Sequence, residues 1–581
     1  MIDFIERPID RQAATFLCRG VTENAELLRT VVSLLSQAVG QGHVCLDLEE
    51  IAEELVRISG QDEPLRLSDA ASLITALRSL PTLGGPGEHC PLILDAAGRL
   101  YLYRYYRYES LLADAIRARA ASETDEIDEA ALAAQLDRYF GSDESGKDNQ
   151  RQAALTALRR RFSVISGGPG TGKTTTVARI LGLLLEQPGG ERLRIAMAAP
   201  TGKAAARLAS SIASLRKTLP CAEEVKRAVP SQVTTIHRLL GTLPGSTGFR
   251  HNERNPLPCD VVIVDEASMV DLPLMTALVT ALPPHARLIF IGDRDQLASV
   301  EAGAVLGDIC RAAESPGSSI AGCVTVLDRN YRFGDGSGIA ALSRAVNAGD
   351  DSEALRLLDD SSSSIVLEAT PTRETIKKRL AAPVLEGFRP CLEAETPAAA
   401  LRLFDRFRIL TALREGPWGA AGMNHAAETL LHEAGLIRRD TPFYRGRPVL
   451  VTENDYTHKL FNGDTGIILP DPETGNLRAF FAAPDGTIRA IPQEFLPRHE
   501  TAFAMTVHKS QGSEFDRVLM VLPPEDTVLL TRELIYTGIT RAKQKVAIWS
   551  DEAVFSAAVK RRTERRSGLR EKLAVTSPGL N

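Results

Sequence analysis

Excess positive charge is missing from this 581-residue chain: 68 lysines and arginines stand against 74 aspartates and glutamates, a net charge of −6. That excludes a surface basic throughout, but a protein gripping one nucleic-acid strand transiently needs only a local basic lining. Paired cysteines are missing too. Cys18, Cys45, Cys90, Cys221, Cys259, Cys310, Cys323 and Cys391 form no CxxC spacing, which disfavours zinc and iron–sulfur centres and predicts reduced, mostly buried thiols. No apolar run approaches a membrane span, and MIDFIERPID has no basic stretch leading into an apolar core. The expectation is therefore a cytoplasmic protein with no membrane segment and no secretory signal. Internal repeats and any recognisable nuclease-type carboxylate cluster are also absent. With 44% apolar and 24% charged residues, the composition is that of a soluble globular chain, long enough for several domains.

What is present begins at residues 162–185. Val164 and Ile165 read as a buried strand, and Gly167, Gly168, Pro169, Gly170, Thr171, Gly172, Lys173, Thr174 and Thr175 follow at once. An apolar-periodic helix comes next (Val177, Ile180, Leu181, Leu184). Glycines let successive amides point at one anion, and the helix start favours negative charge. The spacing GxxxxGK followed by Thr, in strand–loop–helix context, predicts a nucleoside triphosphate site. Lys173 would reach the β- and γ-phosphates and the Thr174 hydroxyl would sit on Mg²⁺.

Further apolar runs end in polar chemistry. VVIVDEASMVD places Asp265 and Glu266 at the end of a four-residue apolar strand; Asp265 suits the Mg²⁺ shell, and Glu266 suits orienting or deprotonating the attacking water. RLIFIGDRDQL ends near Gln296, with the reach of a γ-phosphate sensor, though a plain loop amide has the same spacing. APTGKAAARL puts Lys203 and Arg207 at the carboxyl edge of a parallel sheet, where ligands bind; a solvated helix face fits those two residues equally well. His237 in TTIHRLLG reads as a packing residue, and Arg332 in LDRNYRF as a phosphate contact or a surface charge. RLYLYRYYRYE, with five tyrosines and three arginines in eleven residues, suggests a strand entering a helix. It suits core packing, a partner contact or base stacking.

The texture divides the chain into 1–115, a linker at 116–148, an α/β domain at 149–345 with a small turn-rich insertion at 242–258, and a second α/β domain at 346–440 and 500–552. Short alternating strands at 441–499 predict a small β insertion of barrel type. The basic C-terminal tail at 553–581, whose charge run starts at Lys560, reads as a solvated helix or disordered end.

In order, GGPGTGKT, APTGKAA, VDEASM, GDRDQL, NYR, TVHKSQGSEF and YTGITRA resemble the motif set of the superfamily 1 helicases. VDEASMVDLPLM, REGPWG followed by Met423-Asn424, LFNGDTGI and GHVCLDL are similar to the RecD family, the alpha subunits of exodeoxyribonuclease V (RecBCD). The resemblance implies two RecA-like domains with ATP and Mg²⁺ between them, a mainly helical N-terminal domain that docks on a partner, and an SH3-like insertion. It assigns Lys173 and Thr174 to the phosphates and Mg²⁺, Asp265 to Mg²⁺ and Glu266 to water activation. Gln296 and Arg332 fall at γ-phosphate contacts, and Arg541 at the arginine finger. Tyr331 would stack near adenine, read by Gln150 or its neighbour Gln152. Thr201, Lys203, His237, Thr506, His508 and Lys509 would border single-stranded DNA. The implied activity is 5′→3′ ATP-dependent unwinding from duplex ends, beside RecB- and RecC-like subunits, in double-strand-break repair by recombination. The alternatives are a stand-alone RecD-like helicase and an ATP-gated binding module that does not unwind.

Overall fold

The computed structural model describes residues 2–58, 64–122, 127–141, 148–243, 245–246, 248–331, 337–359, 364–455, 457–483 and 486–574. Continuous apolar runs form strands buried on both faces, as parallel sheets require. In the first α/β domain six parallel strands lie in the order Thr234–Thr235, Ile195–Ala199, Val261–Val264, Arg287–Gly292, Phe162–Gly167 and Val324–Leu327. Alternate residues of each strand enter opposite cores. Phe162, Val164, Leu288 and Phe290 pack with helices Leu272–Thr280 and Val305–Glu314. Ile165, Ile289 and Ile291 pack with helices Asn149–Arg159 and Lys173–Glu186. The result is a three-layer RecA-like domain.

The second domain repeats the plan with five parallel strands, in the order Ile365–Glu368, Ala542–Trp549, Phe515–Val521, Phe407–Thr411 and Ala504–Thr506. Between its last two α/β passages sits a five-stranded antiparallel sheet, ordered Ile488–Pro492, Leu477–Ala482, Thr465–Pro470, Pro448–Val451 and His499–Thr501, over its own small core. The 242–258 stretch is a loop closed by single bridges, Thr242 to Phe249 and Asn252 to Asn255.

The N-terminal region combines helices Pro8–Leu17, Ala25–Gly40 and Ala70–Arg78 with two small sheets. The tyrosine-rich segment is strand Arg99–Leu102 running into helix Tyr103–Ala120. Two segments differ from the sequence expectation. The stretch read as a linker contains helix Glu129–Phe140, whose Leu132, Leu136 and Tyr139 lie at helical spacing and are buried against the phosphate-loop helix. The basic C-terminal segment is not a loose end. After helix Glu552–Lys560 it returns to the N-terminal region, where the Val44 amide donates to the Arg566 carbonyl at 2.8 Å. Leu569 and Leu573 are buried, and Lys572 Nζ meets the fully buried Glu109 carboxylate at 2.8 Å. Its cationic run hides apolar residues four apart, which is why charge alone misleads. Among the described residues no helix is long and apolar enough to cross a membrane, and all eight cysteines are free thiols.

Candidate nucleotide cleft and strand-facing residues

Strand Phe162–Gly167 stops at the sheet edge, and helix Lys173–Glu186 starts from Gly172, which is left-handed (φ +84°) and gives no side-chain cap. The first amides of that helix therefore face outward without a preceding turn to bond them. Lys173 Nζ lies over the loop mouth, donating to the carbonyls of Gly167 (2.6 Å) and Gly168 (3.0 Å). A Cβ at Gly168 would stand 2.7 Å from the Tyr536 hydroxyl, and one at Gly172 would collide with Gln150. Gln150 is the glutamine that meets the loop: its Nε2 donates to the Thr171 carbonyl at 3.1 Å, and its Oε1 accepts from Arg179 at 3.1 Å. The segment after strand Val324–Leu327 closes the other side. The Tyr331 amide donates to the Gly170 carbonyl (2.8 Å), and Asn330 Nδ2 to the Pro169 carbonyl (2.9 Å).

Lys173, Asp265, Glu266, Gln296, Tyr331 and Arg541 line one cleft of about 510 Å³, with Thr174 and Thr175 at its floor. Burial and the adjacent Glu266 carboxylate push Asp265 up to about 6, while Lys173 pulls the other way. Glu266 adopts φ +52°, ψ +41°, a left-handed geometry that costs a side-chain-bearing residue on the order of 1 kcal/mol. Such strain persists where the surroundings enforce it. Here the Glu266 amide is held by Asp265 Oδ1 at 2.9 Å.

Arg541 reaches this cleft from the second domain. It is 2% exposed, with Nε donating to the Thr537 carbonyl and Nη1 to that of Ser513, both at 3.2 Å. Burial lowers its guanidinium, and the charge of Glu266 opposes that shift. Arg332 lies outside the described residues.

Several cleft residues were not singled out by sequence. Tyr536 Oη donates to Asp293 Oδ2 at 3.0 Å, and Gln296 Nε2 donates to the same oxygen at 2.9 Å. Burial, then Asp293, keeps the Tyr536 phenol protonated well above its ordinary value. The Leu297 amide donates to Thr537 Oγ1 (3.0 Å), and Gln511 Nε2 to the Leu297 carbonyl (2.9 Å). The GDRDQ loop is thus bolted to the second domain by three hydrogen bonds. Arg207, undecided from sequence, forms an ion pair with Glu514 across the domain boundary.

The six residues expected to border a strand are spread out. Thr201 Oγ1 caps helix Gly202–Arg216 by accepting from the Ala204 amide at 3.2 Å. Lys203 lines a different cleft, of about 840 Å³, with Asp405 and Asp464, and burial lowers its ammonium. His237 stands edge-on to Phe249 at 5.9 Å in a third cleft, beside the tyrosine-rich helix. Thr506 ends strand Ala504–Thr506, Lys509 pairs with Glu500 at 2.6 Å, and His508 lies beside Arg565.

The donor set suits a Mg²⁺–nucleotide: outward amides, one lysine, a hydroxyl, a carboxylate pair and an arginine from the facing domain. Residues 150–302 match the AAA domain family, 501–549 the UvrD-like helicase C-terminal domain, and 5–101 the RecBCD enzyme subunit RecD N-terminal domain. The RecBCD enzyme subunit RecD of Mycobacterium tuberculosis is 40% identical over 578 residues, covering 98% of this chain and 95% of that one. The Haemophilus influenzae RecD subunit is 35% identical, with 81% and 80% covered. The ATP-dependent RecD2 DNA helicase of Deinococcus radiodurans is 32% identical over 90% of this chain and 62% of its own length. Among solved structures, Bacteroides Pif1 bound to single-stranded DNA is similar at 14% identity and a TM-score of 0.38, covering 71% of this chain and 94% of that one. On the matches spanning nearly its full length, this chain belongs to the RecD family of RecBCD enzyme subunits, within the superfamily 1 ATP-dependent DNA helicases.

Proposed function

We propose that this chain is the 5′→3′ translocating motor of a RecBCD-type exodeoxyribonuclease V. It would act with RecB- and RecC-like subunits on single-stranded DNA at duplex ends, in double-strand-break repair by recombination. The observation that carries the motor reading is that Lys173 of one RecA-like domain and Arg541 of the other line the same cleft. The match of 5–101 to the RecD N-terminal family favours an assembled subunit over a stand-alone helicase.

Lys173 and the amides at the start of its helix hold the β- and γ-phosphates of ATP, and Thr174 and Asp265 hold Mg²⁺. When bound, the nucleotide supplies the phosphoryl group whose transfer to water drives the cycle. Glu266 orients that water and takes its proton, and Gln150 and Tyr331 frame the base. Gln296, Arg541 and, by resemblance, Arg332 face the γ-phosphate. An arginine supplied to developing phosphoryl charge accelerates related NTPases by about 10³–10⁵. Closure of the domains is therefore tied to hydrolysis. The GDRDQ bolts and the Arg207–Glu514 pair are the contacts that must loosen when the domains part. Thr201, Lys203, His237, Thr506, His508 and Lys509 are the proposed strand contacts, gripping backbone rather than reading bases.

The test is strand displacement by the assembled complex on duplexes with single 5′ or 3′ tails. The RecB-like motor is inactivated so that only this chain can unwind. Unwinding from the 5′ tail, lost in Lys173→Ala, is expected. Unwinding only from the 3′ tail refutes the polarity, and ATP turnover indifferent to DNA refutes the motor.

A further inference from the structure

Behind the nucleotide cleft lies a second cavity, of about 120 Å³, which shares Gln296 with it. Three parts of the chain build this cavity. Arg294 and Arg311 come from the first RecA-like domain, Arg532 from the second, and Arg562 and Arg565 from the C-terminal segment. Five guanidiniums thus border one small space, against the carboxylates of Asp295 and Glu533. Gathering like charges in a partly enclosed space is unfavourable unless something of opposite sign offsets it.

The local carboxylates meet these charges unevenly. Arg294 pairs with Glu314, Arg311 with Asp308 (2.6 Å), and Arg562 stands 4.0 Å from Glu533. Arg532 donates instead to the carbonyls of Val559 (3.0 Å), Asn347 (3.4 Å) and Lys560 (3.4 Å). Arg565 donates to those of Glu301 (2.5 Å) and Gly42 (3.4 Å). Carbonyls orient both forks, and that of Arg565 also feels a carboxylate charge, from Glu301. The Ser268 hydroxyl, 8% exposed, also lines the cavity and has no hydrogen-bond partner among the described residues. A buried hydroxyl left over in this way calls for a water or a ligand.

Gln296 lines both spaces, and Asp293 accepts hydrogen bonds from both Gln296 and Tyr536. Tyr536 lies close to both spaces. Its hydroxyl would lie 2.7 Å from a Cβ on Gly168 of the phosphate loop, and it interacts with Asn347 of the arginine cavity. Gln296 and Tyr536 therefore link the phosphate-loop side to the arginine cavity.

We propose that the arginine cavity is a binding site for orthophosphate, receiving the product that leaves the ATP cleft past Gln296 and Tyr536. Arginine forks match the geometry and charge of a tetrahedral oxyanion, and the cavity admits a group of that size. The proposal rests on the nucleotide reading of the cleft. A backbone phosphate of a bound strand carries the same chemistry, so the experiment separates the two sources.

The experiment uses the assembled complex with the RecB-like motor inactivated, and measures inhibition of DNA-stimulated ATP turnover by added inorganic phosphate. Arg562 is suited to it, because its side chain is 57% exposed and its nearest carboxylate is 4.0 Å away. Arg562→Gln is expected to raise the inhibitory phosphate concentration about tenfold with single-turnover ATP cleavage unchanged, and Arg562→Lys to raise it less. Arg294→Gln, in another part of the chain, repeats the measurement should the first variant fold poorly. Equal inhibition in wild type, Arg562→Gln and Arg294→Gln places the phosphate in the ATP cleft and overturns the proposal. Weaker single-stranded DNA binding with unchanged phosphate inhibition assigns the cavity to a strand phosphate and overturns it equally. Lys173→Ala checks the cleft separately: turnover that survives it refutes the nucleotide reading, whatever Arg562→Gln does.

Discussion

Both α/β domains pass from a buried parallel strand into a helix through a glycine-bearing loop, at 168–172 in the first and 412–419 in the second. In the first, the helix begins at an uncapped left-handed glycine, and the amides of Lys173, Thr174 and Thr175 have no carbonyl partner among the described residues. In the second, the chain satisfies itself. The Gly419 amide donates to Gly416 (3.1 Å), Ala420 to Leu413 (3.0 Å) and Ala421 to Arg414 (3.0 Å). A Cβ on Gly419 would strike the Glu415 carbonyl, so the hollow is already filled by its own backbone. The same strand–loop–helix unit therefore binds an anion only when its amides are left over. The second domain instead presents Arg541 to the cleft and holds the GDRDQ loop through Tyr536 and Thr537, on or beside helix Arg532–Ile539.

The largest expected effect tests that division of labour. Arg541→Ala should lower DNA-stimulated ATP turnover by about 10³-fold or more while ATP still binds the first domain; a fluorescent nucleotide titration beside steady-state kinetics checks it. If ATP binding is lost together with turnover, the second domain is holding the nucleotide and the contrast fails. Gly168→Ala comes next. Its new methyl meets the Tyr536 hydroxyl at 2.7 Å, so ATP should bind about tenfold more weakly, the size of a modest overpacking penalty. Tyr536→Phe in the same chain removes the offending oxygen, and titration should show most of the affinity restored.

Gly419→Ala probes the other loop and should cost about 1–3 kcal/mol of stability with an unchanged KM for ATP. Denaturant melts and kinetics on one preparation decide the point. The smallest effect is a pH slope that belongs to the first half. Asp308 in helix Val305–Glu314 is pushed by burial up to about 6, although Arg311 lies 2.6 Å away. The folded chain therefore keeps this proton longer than the unfolded chain. Its contribution is fully present below about pH 4 and is lost as pH rises through about 6, amounting to about 2–3 kcal/mol. Asp308→Asn should flatten that slope in thermal melts taken between those limits, and an unchanged slope removes Asp308 as its source.

The placement of residues at a strand end and the next few positions was legible in the sequence. Lys173, Thr174, Asp265, Glu266 and Gln296 each sit where a buried strand meets the sheet edge, and Arg541 was reached through motif order. Which of Gln150 and Gln152 meets the phosphate loop depends on the helix turn that aims one amide at Thr171. Tyr536–Asp293, 243 residues apart, and Arg207–Glu514, 307 apart, depend on how two domains meet, and no local pattern encodes that. The helix at 129–140 and the C-terminal segment did carry a local signal, apolar residues four apart, masked by alanine and acidic residues in one and by arginine and lysine in the other.

The C-terminal return has a consequence for biosynthesis. Glu109 is fully buried, and its counter-charge arrives from Lys572, 463 residues later; the Val44 amide likewise waits for the carbonyl of Arg566. A nascent chain emerging from the ribosome has neither until residues 566–572 have been made. The N-terminal region then reaches its final form only as helix Leu569–Ala574 docks, so any partner that recognises that form selects for chains in which this segment is made and in place.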